Sequence, residues 1–166
     1  MGLDKAFVEV GGRPMVVRVA TALTDAGCSP VVCQGGNHQL TAAFGLEVVP
    51  DPIPDAGPVL AIMAALEHHG GPILVAACDL ADLDQEAARA LIERAGEDPA
   101  VLVAVATAET QAHLLSYWRP EALDPLRRLV ADGVTAYRVA LQRLGACEVP
   151  VAPTAVRNIN RPEDLG

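Results

Sequence analysis

Short β-type apolar runs that alternate with helix-length Ala/Leu segments predict an α/β fold, with a mostly parallel sheet flanked by helices. Two further observations agree: the apolar runs end abruptly in polar or glycine-rich residues, and Gly27, Gly70, Gly96 and Gly133 act as stop signals after helical spacing. A length of 166 residues fits a single domain spanning 1–166. Apolar residues make up 51% but aromatics only 3%, so the core must be built from Ala, Val and Leu.

The elements follow in order. Phe7-Val8-Glu9-Val10-Gly11-Gly12-Arg13-Pro14-Met15 reads as a hairpin turned by the Gly-Gly pair, with a helix opening at Pro14 because its fixed φ suits a first helical position. Strands are expected at 31–33, 46–49, 72–78 and 101–106, and residues 148–151 and 155–158 close the chain in extended form. Helical periodicity marks 15–26, 59–68, 85–95 and 120–129. Asp84 before Gln85-Glu86-Ala87 has the form of an N-cap with an acidic first turn. The proline-rich stretch 50–58 is a loop long enough to shape a pocket.

Charge and hydropathy narrow the function. Twelve Lys+Arg against 21 Asp+Glu give a net charge of -9, which repels a polyanionic backbone and argues against nucleic-acid binding. No apolar stretch reaches the roughly 18 to 20 residues that span a bilayer, and no basic leader precedes an apolar one, so no membrane association is expected. Cys28, Cys33, Cys78 and Cys147 form no CxxC pair and read as reduced, mostly buried thiols, with Cys78 a small hydrophobe inside an apolar run. A cytoplasmic location follows from that reading. His68-His69 complements a helix C-terminus, and Arg127, Arg128 and residues 138–143 read as helix surface.

In an open parallel sheet the ligand sits beyond the carboxyl ends of the strands. Asp79 follows Ile73-Leu74-Val75-Ala76-Ala77-Cys78, where an unpaired carboxylate is costly and a hard cation offsets the cost. Mg²⁺, which takes one or two carboxylates together with substrate phosphates, suits a lone Asp there. The alternative for Asp79 is a cap or turn, a task for which Asp82 and Asp84 are also available. Asp51 in Pro50-Asp51-Pro52 is a natural turn residue, and Lys5 by spacing alone is a solvated surface lysine.

Taken together, five ordered motifs carry more information. Met1-Gly2-Leu3-Asp4-Lys5-Ala6 with Gly11-Gly12-Arg13-Pro14-Met15, Val48-Val49-Pro50-Asp51 with Gly57-Pro58, Ala76-Ala77-Cys78-Asp79, residues 111–118 with Arg119-Pro120, and Asn158-Ile159-Asn160-Arg161-Pro162-Glu163-Asp164-Leu165 span the chain. The set resembles the molybdenum cofactor guanylyltransferases and, more broadly, the Rossmann-like (GT-A-like) nucleotidyltransferases. The resemblance implies transfer of GMP from GTP to molybdopterin or its molybdate-loaded form, with release of pyrophosphate and with Mg²⁺ as cofactor. It also implies Lys5 and Asp79 as catalytic residues, Asp79 as the metal ligand, and Gly2, Lys5, Cys33, Asp51 and Asp79 on the nucleotide side. Gln111, His113, Asn158 and Asn160 fall on the acceptor side, and an arginine in 138–143 is in a position to reach a pterin phosphate. Other proteins of molybdenum cofactor biosynthesis are the implied partners.

The family opens with a strand and a Leu-Ala-Gly-Gly-x-Ser-x-Arg loop that precede the point matched by Met1. The expectation is therefore a sheet lacking its first strand, with translation beginning upstream or a truncated chain. Gly57-Pro58-Val59-Leu60-Ala61 departs from the usual Gly-Pro-Leu-Ala-Gly, and Cys33 stands where many relatives carry Asn. Two other readings remain: a related nucleotidyltransferase using CTP or another acceptor, and an inactive homologue acting as a pathway partner.

Overall fold

In the computed structural model, which describes residues 5–51, 53 and 56–159, the Gly-Gly hairpin forms as expected. Strand β1 (Glu9–Val10) pairs antiparallel with β2 (Arg13–Pro14), and Gly11 and Gly12 turn the chain at φ of 59° and 75°, a region that favours glycine. Pro14 then caps helix α1 (Met15–Asp25), which buries Met15, Val16, Val19, Ala20, Ala22 and Leu23. The main-chain N–H of Met15 donates to the Val8 carbonyl, fixing the hairpin against the helix start.

Next come β3 (Val32–Gln34), helix α2 (His38–Ala43) and β4 (Glu47–Val49), with β3 and β4 parallel in the register Cys33 to Val48. Helix α3 (Pro58–His69) begins after Gly57 and ends at Gly70 in the left-handed conformation, so the Gly70 stop signal holds. Strand β5 (Ile73–Ala76) leads to α4 (Gln85–Glu97), whose N-cap Asp84 accepts the Ala87 N–H at 2.8 Å. Asp84→Ala is expected to cost about 1 kcal/mol of stability, read as a lower denaturation midpoint at unchanged slope. Gly96 lies within α4 rather than ending it, and the chain leaves the helix at Asp98 in extended geometry.

Strands β6 (Val103–Ala108) and β7 (Gln111–Trp118) make a hairpin, followed by a 3-10 turn (Pro120–Ala122), helices α5 (Leu123–Ala131) and α6 (Tyr137–Leu144), and β8 (Cys147–Pro150). The four-stranded sheet has the order β5-β7-β6-β8. Because β7 is antiparallel to both β5 and β6 while β8 is parallel to β6, three strands run one way and β7 alone opposes them. Among the described residues β3 pairs only with β4 and β5 only with β7, so each leaves one ladder edge unpaired. Of residues 155–158, expected in extended form, Ala155 and Val156 instead lie in a 3-10 turn (Pro153–Val156), started by Pro153 and closed by the Ala155 N–H on the Ala152 carbonyl, while Arg157 is extended.

The sheet separates two apolar clusters. Leu80, Leu91, Ala104, Ala106, Leu115 and Val156 lie in one, while Val59, Ile62, Leu66, Val103, Val105, Trp118 and Leu126 lie in the other. The second holds a polar pair: Trp118 Nε1 donates to Ser116 Oγ at 2.8 Å, so both buried groups are satisfied. A third, smaller cluster of Met15, Ala81 and Ile159 joins the beginning, middle and end of the described chain, with Val8 and Val10 packed against it. No described helix is long and apolar enough to cross a membrane. Cys78 is exposed rather than buried, because β5 ends two residues earlier and the chain turns outward there.

Candidate active site

That third cluster positions the most unusual polar contact in the molecule. Lys5, on a 3-10 turn (Lys5–Phe7), places Nζ 2.7 Å from Asp79 Oδ2 across 74 residues of sequence. The Asp79 side chain is only 16% exposed, and its other oxygen, Oδ1, is buried with no hydrogen-bond partner. A buried carboxylate oxygen without a partner costs about 1–3 kcal/mol or more, so such an atom signals a ligand or a functional purpose. The backbone of the same residue is tied down: the Asp79 carbonyl accepts the Ile159 N–H at 3.1 Å.

Asp51 stands at the carboxyl ends of β3 and β4. Its Oδ1 accepts from Gln34 Nε2 at 3.0 Å, and the same amide reaches the Pro50 carbonyl at 3.1 Å. The carboxylate presses on Gly35, where φ is 70° and a Cβ would overlap Asp51 Oδ2. Asp51 is therefore held in place by β3 rather than spent on a local turn. It forms one wall of a cavity of about 320 Å³ with Ile53, Gly57, Pro58, Leu60 and Leu114. Cys33 lines neither this cavity nor the larger one; it sits half-buried on β3, where burial pushes its thiol pKa up.

Gln111, His113 and Asn158, residues separated by up to 47 positions, meet on the walls of a cavity of about 560 Å³. Arg138, Arg157 and Glu109 line it too, and Arg138 Nη2 donates to Gln111 Oε1 at 3.4 Å. Leu114 is common to both cavities, and its carbonyl accepts the Ala77 N–H at 2.8 Å, two residues before Asp79. Gly2 and Asn160 lie outside the described residues.

Sequence reasoning missed Glu109, Asp82 as an ion-pair partner, and Arg157. Glu109 and Thr110 make the two-residue β6–β7 turn at φ of 49° and 66°, conformations strained for non-glycine residues, and nothing in the dipeptide announces it. Asp82 pairs with Arg18 at 3.4 Å and with Arg157 at 2.6 Å, contacts that span 64 and 75 residues.

Tyr137 opens α6 directly before Arg138, which lines the larger cavity. Its hydroxyl donates to the His113 carbonyl at 3.3 Å. Burial pushes its pKa from near 10 up to about 12, with the Ser116 hydroxyl pulling weakly the other way. A raised folded-state pKa contributes stability that is fully present below pH 10 and is lost as pH rises through 12. Tyr137→Phe is expected to move alkaline unfolding to higher pH; a phenolate titration showing Tyr137 ionising near pH 10 in the folded protein would contradict this.

A lysine-paired aspartate just past the end of β5 puts charged groups where open α/β sheets bind their ligands. The sequence model of the MobA-like NTP transferase domain matches residues 1–147, and the chain belongs to that family. Molybdenum cofactor guanylyltransferase of Rhizobium meliloti (strain 1021) is 31% identical, with 99% of this chain and 83% of that protein covered. The Nitrobacter hamburgensis protein of the same name is 30% identical, with 99% and 84% covered. The crystal structure of molybdopterin-guanine dinucleotide biosynthesis protein A from Archaeoglobus fulgidus superposes with a TM-score of 0.74 at 25% identity, covering 99% of this chain and 88% of that one. The 4-diphosphocytidyl-2C-methyl-D-erythritol synthase of Anaerococcus prevotii reaches 0.77 at 10% identity, with 99% and 88% covered, a likeness of fold alone.

Proposed function

We propose that the protein transfers GMP from GTP to the terminal phosphate of molybdopterin, or its molybdate-loaded form, making the guanine dinucleotide cofactor. An acceptor phosphate oxygen forms a bond to the α-phosphorus, the bond from that phosphorus to the β-phosphate oxygen breaks, and pyrophosphate leaves with the electron pair. The observation that carries the reading is the Lys5–Asp79 pair, whose second carboxylate oxygen is buried without a partner. An ammonium beside the triphosphate stabilises the charge that develops on the leaving oxygens.

The donor set fits Mg²⁺. Asp79 Oδ1 is an unsatisfied hard oxygen, and the described residues contain no group of three or more His, Cys, Asp or Glu, so one carboxylate with phosphate oxygens is the expected ligand set. When bound, Mg²⁺ supplies charge neutralisation at those oxygens. Asp51 contacts the nucleoside from the smaller cavity, with Gly2 and Cys33 assigned to the same substrate. Gln111, His113, Asn158 and Asn160 take the acceptor, since amides and imidazole read a heterocycle's donors and acceptors. The protein works in the cytoplasm, alongside other proteins of molybdenum cofactor biosynthesis.

The test is incubation of the protein with molybdopterin, Mg²⁺ and either GTP or CTP. Guanine dinucleotide together with pyrophosphate is the expected product. Product with CTP alone would replace the guanylyl reading by a cytidylyl one, and no product with either, together with unimpaired cellular molybdoenzyme activity in Asp79→Ala, would favour an inactive partner.

A further inference from the structure

We infer that Arg157 binds the anionic phosphate of the acceptor and that Asp82 is the positioning residue that holds it there. The identity of the acceptor rests on the reading above; the recognition of a phosphomonoester does not. Arg157 and Asn158 are adjacent on the wall of the larger cavity, directly after the 3-10 turn and before Ile159, whose N–H is fixed on the Asp79 carbonyl. Arg157 Nη2 sits 2.6 Å from Asp82 Oδ2, and Arg18 sits 3.4 Å from Asp82 Oδ1 while its Nε donates to the Ala81 carbonyl at 2.7 Å. Asp82 is thereby held by α1 and by the loop after β5, and it in turn holds the residues that follow the 3-10 turn.

The charge balance gives the ligand class. One carboxylate faces two guanidiniums, so the Arg18–Asp82–Arg157 group keeps a net positive charge. Among the described residues that line the cavity, two arginines, Arg138 and Arg157, stand against one carboxylate, Glu109, in a chain whose net charge is -9. A guanidinium has five N–H donors in a planar fork, and the bond to Asp82 leaves donors for two oxygens of a phosphate. Arg157 is 55% exposed, so the Asp82 contact contributes little to folding and mainly restricts where the fork lies. A phosphate seated there is one residue from Asn158 and two from the anchor on Asp79, which brings its oxygens toward the reacting end of the site.

The test compares Michaelis constants for the two substrates. Arg157→Gln is expected to raise the acceptor KM about tenfold or more while the GTP KM moves less than about twofold, since a lost bidentate charge-assisted contact is worth about a factor of ten or more. Arg157→Lys should recover part of the loss, Asp82→Asn should raise the acceptor KM by a smaller factor, and the double variant Asp82→Asn/Arg157→Gln should be no worse than Arg157→Gln alone. Calorimetric binding of phenyl phosphate to the unaltered protein and to Arg157→Gln gives a readout that needs no turnover, so it decides the matter even if GMP transfer fails. Phenyl phosphate should bind more tightly than inorganic phosphate and lose affinity in Arg157→Gln. An acceptor KM unchanged in Arg157→Gln, a GTP KM rising in step, equal affinity for the two phosphates, or phenyl phosphate binding indifferent to Arg157 each overturns the assignment.

Discussion

Asp79→Asn is expected to lower the rate of nucleotidyl transfer by about 10²- to 10³-fold while leaving the thermal midpoint unchanged or higher. The two effects have one origin. In the folded protein Asp79 Oδ1 is buried without a hydrogen bond, a cost of about 1–3 kcal/mol, and the contact with a Lys5 side chain that is 37% exposed returns about 0–1 kcal/mol. An amide of the same shape removes the charge that has to be desolvated and gives up only the weaker of these terms. The same change takes away the anionic oxygen that a hard cation and a lysine both need. Measuring kcat and the melting temperature on one preparation decides it: wild-type turnover, or a midpoint lowered by more than about 5 °C, would mark Asp79 as a structural carboxylate instead.

Gly35→Ala should raise the GTP KM about tenfold or more, with Gly36→Ala as its control. Both glycines have positive φ, 70° and 84°, so both substitutions carry a similar backbone strain of about 1–2 kcal/mol. At Gly35 the new methyl would also overlap the Asp51 carboxylate, whereas at Gly36 nothing lies within 4 Å. Relief of the overlap requires Asp51 to leave the wall of the smaller cavity and to break its bond from Gln34. Equal KM values for the two variants would show that Asp51 has no part in nucleotide binding.

The parts of this arrangement that were legible in the sequence are those encoded locally. The Gly11-Gly12 turn, the Asp84 cap and the Gly70 stop each follow from one or two residues whose conformational preferences are strong. Asp79 stood out because a carboxylate directly after six apolar residues needs a reason. Strand β7 was harder to place: the resemblance gave 111–118 an acceptor role, but insertion of that segment between β5 and β6 depends on pairing across tens of residues. Helix α2 was missed because six residues are too few to establish a period. Cys78 was misread as buried because an apolar run was extended past the end of the strand it contains. The Asp82–Arg157 contact had no signal at all, since two charges 75 residues apart look like any two surface charges.

Leu114 gives the two cavities a common wall, and that sharing has a thermodynamic consequence. A molecule that shifts this side chain on entering one chamber alters the room left in the other, so the occupants acquire a coupling free energy. Whatever factor the first adds to the affinity of the second, the second must return to the first. Because Leu114 is anchored through its carbonyl to the strand end that carries Asp79, the same linkage runs past the reacting residues. A smaller residue at Leu114 is expected to weaken that coupling, read as a smaller change in the Kd of one ligand when the other is bound.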